Sequence, residues 1–428
     1  MTSDTTPSDT TPSDTTPSDA TPPPPAAGRH AVAFVLITIF IDSIGFGLIM
    51  PVLPRLLMQL GGIGLAGAIE IGAWMGLAMA IAAFLAAPVL GNLSDAYGRR
   101  RVLLIALAGL ALDYLLLAVA QTLPLIFLGR VLSGLLGGSY APAQAALADI
   151  TRPEERARIF GLVSAAFGAG FVLGPAIGGL LTAYGPRAPF YLASALALGN
   201  FLYGWFVFPD TLKPANRRPF TLARANPLGA WRTLRATPKM GQVAAVLLLW
   251  QIASLVYPLT WAFWGIAQLG WSDRMIGLSL TAVGIVMALS QIFITGPAVK
   301  RLGERDAATV GLIAATCGFA AYAFTSSTVI AFALLAFIAL QSLVQPSLMA
   351  LMSRRATPET QGEIQGIAAM TTGIGSILGP FLLTAPMAYF SGPRAPVYFP
   401  GVAFLVAAAF GLAALVMLRR LPRVEQQA

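Results

Sequence analysis

The chain has 428 residues, 57% of them hydrophobic and 11% charged, with a formal net charge of +9. Soluble domains carry roughly a quarter charged residues, so this composition excludes a water-soluble enzyme, and the basic excess belongs to one face of a membrane rather than to a nucleic-acid partner. One cysteine, Cys317, and one histidine, His30, exclude an internal disulfide, a cysteine metal cluster and the usual histidine-containing metal or triad sites, so neither metal nor cofactor is expected.

Residues 1–28 repeat Thr-Pro-Ser-Asp and end in Pro22 to Pro25. Such a composition buries no core and predicts a disordered cytoplasmic tail; it lacks the basic and apolar regions of a cleavable signal. Apolar runs of about 20 residues then read as membrane spans. Six are expected at 31–54, 66–90, 102–120, 124–147, 158–183 and 188–208. A polar, basic linker follows at 209–239, then six more spans at 240–264, 275–297, 307–325, 329–352, 363–388 and 396–418, and a tail at 419–428. An even count puts both termini on one side. With the N terminus in the cytoplasm, all but five of the 27 basic residues fall on that side. Arg55, Arg187, Arg274 and Arg394 fall outside and Arg130 within a span, an asymmetry that fixes the orientation and predicts a multi-pass protein of the inner membrane.

The two halves are copies. Gly91, Gly98 and Arg100 recur at one constant offset as Gly296, Gly303 and Arg305. The same offset carries Pro153, Glu154, Gly161, Gly168, Gly174 and Pro175 onto Pro358, Glu359, Gly366, Gly373, Gly379 and Pro380. The expected fold is therefore an all-α membrane protein of 12 transmembrane helices in two pseudo-symmetric six-helix bundles, 29–208 and 240–418, with a cavity between them and rocking of one against the other.

The short loop Gly91-Asn-Leu-Ser-Asp95-Ala-Tyr-Gly98-Arg99-Arg100-Arg101 lies at the membrane face. Asp95 with Arg99 reads either as a simple loop salt bridge or as a latch whose acid sits against a neighbouring helix N terminus. In the fifth span Gly170, Gly174 and Gly178, with Pro175 and Gly179, place small residues on one helix face. That spacing fits a tight helix crossing or a hinge. Ionisable residues inside spans are few. Asp42, Asp113 and Arg130 lie deep and Glu70 lies near one end, and a charge at mid-bilayer costs about 2.5–3.5 kcal/mol unless it faces a cavity or a partner. Asp42 and Asp113 are candidate proton carriers, with a structural pair to Arg130 as the alternative. The corresponding positions of the second half are Leu247, Gly318 and Leu335, so ionisable chemistry is confined to the first half. Gln144, Gln251, Tyr257, Gln291 and Gln341 are candidates for lining a substrate cavity. The aromatic residues Trp250, Trp261, Phe263 and Trp264 read mainly as interface anchors or helix packing.

These motifs together resemble the major facilitator superfamily, and within it the twelve-helix drug:proton antiporters of the tetracycline-resistance type. Gly91 to Arg100 is similar to the superfamily's loop 2–3 signature, and Gly170-Phe-Val-Leu-Gly174-Pro175-Ala-Ile-Gly178-Gly179 to the antiporter signature of helix five. Leu128-Gly-Arg130-Val-Leu-Ser-Gly134 resembles the helix-four arginine motif. Asp42-Ser-Ile-Gly-Phe-Gly-Leu-Ile-Met-Pro51 and Leu112-Asp113-Tyr114 resemble segments of the tetracycline pumps. The resemblance implies that Gly91, Asp95, Gly98, Arg99 and Arg100 form a gate, that Asp42, Asp113 and Arg130 take part in proton coupling, and that Gly174 with Pro175 enforces exchange. The run Gly138-Ser139-Tyr140-Ala-Pro142-Ala-Gln144 departs from those pumps, setting bulk and a proline where they keep small residues. The implied activity is export of an amphipathic organic compound against protons, by a monomer in the lipid bilayer and without cofactor or nucleic acid. The alternative is a proton-coupled importer or metabolite exporter of the same fold.

Overall fold

In hydrocarbon every backbone N–H and C=O must find its partner within the chain, so long apolar runs become helices. The computed structural model describes residues 26–212, 214–221, 238–354 and 361–421. Residues 1–25, the linker positions 213 and 222–237, Arg355, the repeat partners Pro358 and Glu359, and the tail 422–428 with Arg423 lie outside the described residues.

The first half comprises α1 (Ala26–Ile49), α2 (Leu53–Gly61), α3 (Leu65–Tyr97), α4 (Arg99–Val119), α5 (Leu123–Leu136), α6 (Tyr140–Ile150), α7 (Arg156–Leu181) and α8 (Ala188–Val207). Helix α1 reaches back to Ala26, into the segment expected to be disordered. The proline run stops at Pro25, and Ala26 and Ala27 are strong helix formers. The second half comprises α9 (Pro238–Ser254), α10 (Val256–Leu269), α11 (Asp273–Ser290), α12 (Gly296–Phe324), α13 (Thr328–Ala333), α14 (Leu335–Gln341), α15 (Val344–Ser353), α16 (Gln361–Gly379), α17 (Ala385–Phe390) and α18 (Val402–Arg420). Wider π turns, Gln291–Thr295 and Pro380–Thr384, join α11 to α12 and α16 to α17.

Among the described residues, 11 segments are long and apolar enough to cross a membrane, against the twelve expected. The difference lies at Asp273–Phe324, a run of 52 residues that joins the expected eighth and ninth spans. At ~1.5 Å per residue a straight helix of that length would far exceed the ~30 Å hydrocarbon core. The run is interrupted instead at Gly303, whose φ of +76 is non-helical. Gly296–Leu302 stays helical up to that bend, so hydrogen bonding continues through a loop that sequence reading treats as a gap. The opposite happens in the expected span 124–147. It is broken at 137–139, between α5 and α6.

Within the first half α1 packs on α7, α4 on α8 and α3 on α5. Within the second, α12 and α9 pack on α18, and α9 on α16. The halves meet where α7 crosses α11 and where α3 crosses α16 and α17. The glycine stripe of α7 makes its first crossing possible. A Cβ on Gly174 or Gly178 would stand 2.6 Å from the Ile44 oxygen or 2.7 Å from the Leu48 oxygen of α1. On the far side Gly179 abuts Asp273, Arg274 and Gly277 of α11. The helix runs unbroken through Pro175, so the stripe is a double close crossing. Gly174→Leu is expected to force α1 off α7, at a cost of about 1–3 kcal/mol or more by overpacking. A lowered melting temperature of the purified protein checks it, and an unchanged one would refute the crossing's role.

The second half is centred on rings. Trp261, Trp264, Tyr322 and Phe404 pack with centroids 5.2–6.2 Å apart, and the indole nitrogens of Trp261 and Trp271 donate to Ser279 and Thr328, each at 2.9 Å. These aromatics are core packing. Trp250, at 6% exposure, is buried too.

Candidate functional site: an ionic cluster at one face and two carboxylates inside the first half

The Gly91–Arg101 loop is the junction of α3 and α4, and its turn is made by Gly98 with φ +101. A Cβ at Gly98 would overlap the carboxylate of Asp210, so glycine is required there twice over. Asp210 belongs to the start of the linker, and its Oδ1 accepts from the Arg99 backbone N–H at 3.0 Å, capping α4. Arg99 in turn pairs with Asp95 at 2.5 Å and with Asp149 of α6 at 3.0 Å. The linker adds Arg217, 2.8 Å from Asp210. Its backbone also binds the loop, with Asn92 Nδ2 donating to the Thr221 oxygen at 2.6 Å and the Arg218 N–H to the Asp95 oxygen at 3.1 Å. Gly91 stands in open space. Arg100 turns away and donates to the Trp205 carbonyl of α8. Asp95 is thus held by Arg99. Asp149 and Asp210 are partners that the loop motif alone does not reveal.

Inside the membrane the two carboxylates have different company. Asp113 of α4 is fully buried and forms an ion pair with Arg130 of α5, itself 8% exposed. Asp42 of α1 has no cationic partner among the described residues. One of its oxygens accepts a hydrogen bond from the Ser139 hydroxyl, and the other, Oδ1, is buried without a partner among the described residues. Ser139 sits at the N-cap of α6, where the break in the helix ends, and its side chain reaches α1. Tyr114, beside Asp113, lays its phenol against Gly45 of α1 and so spans the gap between the two carboxylates. Glu70 is exposed near the start of α3.

The expected cavity residues are dispersed. Tyr257 packs among Trp261, Phe319, Tyr322 and Phe404 and faces Gln341, 6% exposed, at 3.4 Å. Both pack within the aromatic core of the second half. Gln251 donates to Thr372 at 2.6 Å. Gln144 is half-buried on α6, and Gln291 is exposed in the turn after α11.

At the opposite face an ion pair joins the two halves, with Arg55 of α2 2.6 Å from Asp273 at the start of α11. Sequence reading counted Arg55 only as a flanking charge, and the acid lies more than two hundred positions away. A partly exposed pair contributes about 1 kcal/mol or less, yet that shifts a two-state balance about five-fold. Removing both charges, Arg55→Ala with Asp273→Ala, is expected to favour separation of the halves at this face. Leu57 is fully buried there. Leu57→Cys, in a background with the exposed Cys317 changed to Ser, should react with a thiol reagent several-fold faster in the double variant. Equal rates would deny the pair any part in closure.

Two helical bundles that meet at close crossings, carry carboxylates inside one of them and are clamped at one face define a membrane carrier. The family model of the Major Facilitator Superfamily matches residues 35–267 and 243–428, and the chain belongs to that superfamily. It is 39% identical over 395 residues to the tetracycline resistance protein, class C, of Escherichia coli, covering 92% of this chain and 97% of that protein. It is 35% identical over 402 residues to the class G protein of Vibrio anguillarum, with 92% and 98% covered. Among solved structures a D-xylose-proton symporter superposes with a TM-score of 0.74 at 14% identity, over 92% of this chain and 98% of that one, a likeness of fold alone.

Proposed function

We propose that the protein exports tetracycline-like amphipathic compounds across the inner membrane in exchange for protons, by alternating access. The observation that carries this reading is Asp42, an intramembrane carboxylate held among the described residues by a neutral hydroxyl and no cation. A carboxylate paired with an arginine is neutralised in place, whereas one with a neutral partner can take and give up a proton as access alternates. Asp113 with Arg130 then supplies the fixed frame. The high identity to tetracycline resistance proteins over nearly the whole chain supports the substrate class.

In this reading the Gly91–Arg101 face is cytoplasmic, as the basic residues require, and both termini lie there. The closed Arg55–Asp273 face is periplasmic. Substrate entering from the cytoplasm displaces the proton of Asp42. After the halves rock, the carboxylate is recharged from the other side, and the different affinities of proton and substrate for the two states drive the cycle. The Asp95–Arg99–Asp149 cluster, braced by Asp210, is the cytoplasmic gate, and the double crossing of α7 couples α1 to α11.

The test is made in inside-out vesicles acidified by respiration. Tetracycline should discharge the pH gradient only when the protein is present, and failure across a panel of cationic and neutral drugs would overturn the reading. Asp95→Asn should lower that exchange about ten-fold while the protein remains in the membrane, since a charge-assisted contact of the gate is lost. Undiminished exchange in this variant would remove the cluster from the gate.

A further inference from the structure

Four aromatic rings form a continuous strip beside Asp42, and the function described so far leaves them unused. Phe46 of α1 stacks on Phe171 of α7, with centroids 6.5 Å apart and planes at 25°. Phe171 stacks on Phe167 at 6.3 Å and 13°. Phe167 meets Tyr140, the first residue of α6, edge-on at 6.4 Å. Phe46, Phe167 and Tyr140 are 45%, 46% and 47% exposed.

That exposure faces the space between the bundles. On α7 the face bearing Gly170, Gly174 and Gly178 is covered by α1. The face bearing Val172 and Gly179 is covered by α11, which donates from Thr281 to the Val172 oxygen at 3.3 Å and abuts Gly179. At 100° per residue, Phe171 points between those two faces, on the side of Pro175, which touches Gly47 of α1 and Gly277 of α11, and Phe167 lies one turn nearer the helix start on the α1 side, its ring still 46% exposed. Leu173 and Leu180 occupy the other side and are the residues turned to lipid. The backbone of Phe167 is pinned to α1 by the Ser43 hydroxyl at 2.7 Å, so the ring has a fixed seat.

Both ends of the strip approach one carboxylate. Phe46 lies one helical turn from Asp42, and Tyr140 directly follows Ser139, whose hydroxyl holds that carboxylate. The free oxygen of Asp42 is buried without a partner among the described residues. Three stacked rings, a fourth edge-on ring and one carboxylate at their margin match a flat ring system that carries a positive charge. Aliphatic side chains would suit any apolar ligand equally well, whereas ring faces favour flat ones.

We propose that Phe46, Tyr140, Phe167 and Phe171, with Asp42, form a substrate subsite selective for flat polycyclic aromatic compounds bearing a cationic group. The inference rests on the exporter reading and narrows its substrate class. It also gives the proton a competitor, because the ligand's cation and the proton claim the same carboxylate.

The experiment measures binding to the purified full chain in lipid nanodiscs, so it needs no transport. Ethidium, a flat cation, is followed by fluorescence polarisation, and tetraphenylphosphonium, a propeller-shaped cation, by equilibrium dialysis. Phe171→Leu and Phe167→Leu should each weaken ethidium binding about five- to ten-fold and leave tetraphenylphosphonium within about two-fold. Phe171→Tyr should restore ethidium binding, which separates loss of a ring from loss of fold. Asp42→Asn should weaken both cations about ten-fold or more. Ethidium affinity unchanged in the double Phe167→Leu, Phe171→Leu variant would overturn the subsite, and so would equal losses for both cations in the leucine variants. If tetracycline discharges the vesicle gradient while the ring variants bind ethidium normally, this inference alone fails. If ring-dependent binding is found but no compound discharges the gradient, the exporter reading alone fails.

Discussion

Asp42→Asn is expected to abolish proton-driven drug uptake into inside-out vesicles, by about 100-fold or more, the usual scale for losing a group that must take and give a proton. Asparagine keeps the size and still accepts from Ser139, so the break between α5 and α6 retains its contact with α1. What is lost is the ability to change charge as access alternates. Substrate already inside the vesicle should therefore still exchange with substrate outside when it is supplied well above its weakened affinity, since that half of the cycle needs no proton. A variant that accumulates drug normally against a pH gradient would move the carrier elsewhere. A variant that fails in both assays would make Asp42 a binding residue only.

Asp113→Asn should act on stability first. Arg130 is 8% exposed and its charge is met by Asp113 alone among the described salt bridges. Removing one partner of a buried pair leaves an uncompensated charge and costs about 3–5 kcal/mol. For a protein of this kind that amounts to roughly 10 °C in melting temperature. The double variant Asp113→Leu with Arg130→Leu removes both charges and should regain most of the loss, because replacing a buried pair by apolar groups is often neutral. Melting temperature in detergent separates the cases. If Asp113→Asn melts as the wild type, the pair is not the frame of the first half, and Asp113 returns as a candidate carrier beside Asp42.

The membrane class, the duplicated halves, the charge asymmetry and the Gly91–Arg101 loop were all legible in the sequence. Each depends on residue type and spacing along the chain, and hydrocarbon allows a long apolar run almost no conformation but a helix. The glycine stripe of α7 was legible for the same reason, since a spacing of four fixes one helix face whatever lies against it. Continuity was not. The Gly296–Arg305 copy of the loop stays helical up to Gly303, whereas the expected span 124–147 breaks at 137–139, because neighbouring helices decide whether a glycine-rich stretch turns, bends or runs on.

Partners across the fold were decided only by the tertiary structure. Asp42 and Asp113 look alike in the sequence, yet one meets Ser139 and the other Arg130, and the proposed cycle gives them separate tasks on that difference. Arg55 with Asp273, Arg99 with Asp149 and Asp210, and the four rings beside Asp42 join residues that lie far apart in the chain. Sequence spacing reports the periodicity within one helix; which faces of two helices meet is set by close packing between them, a property of the folded whole.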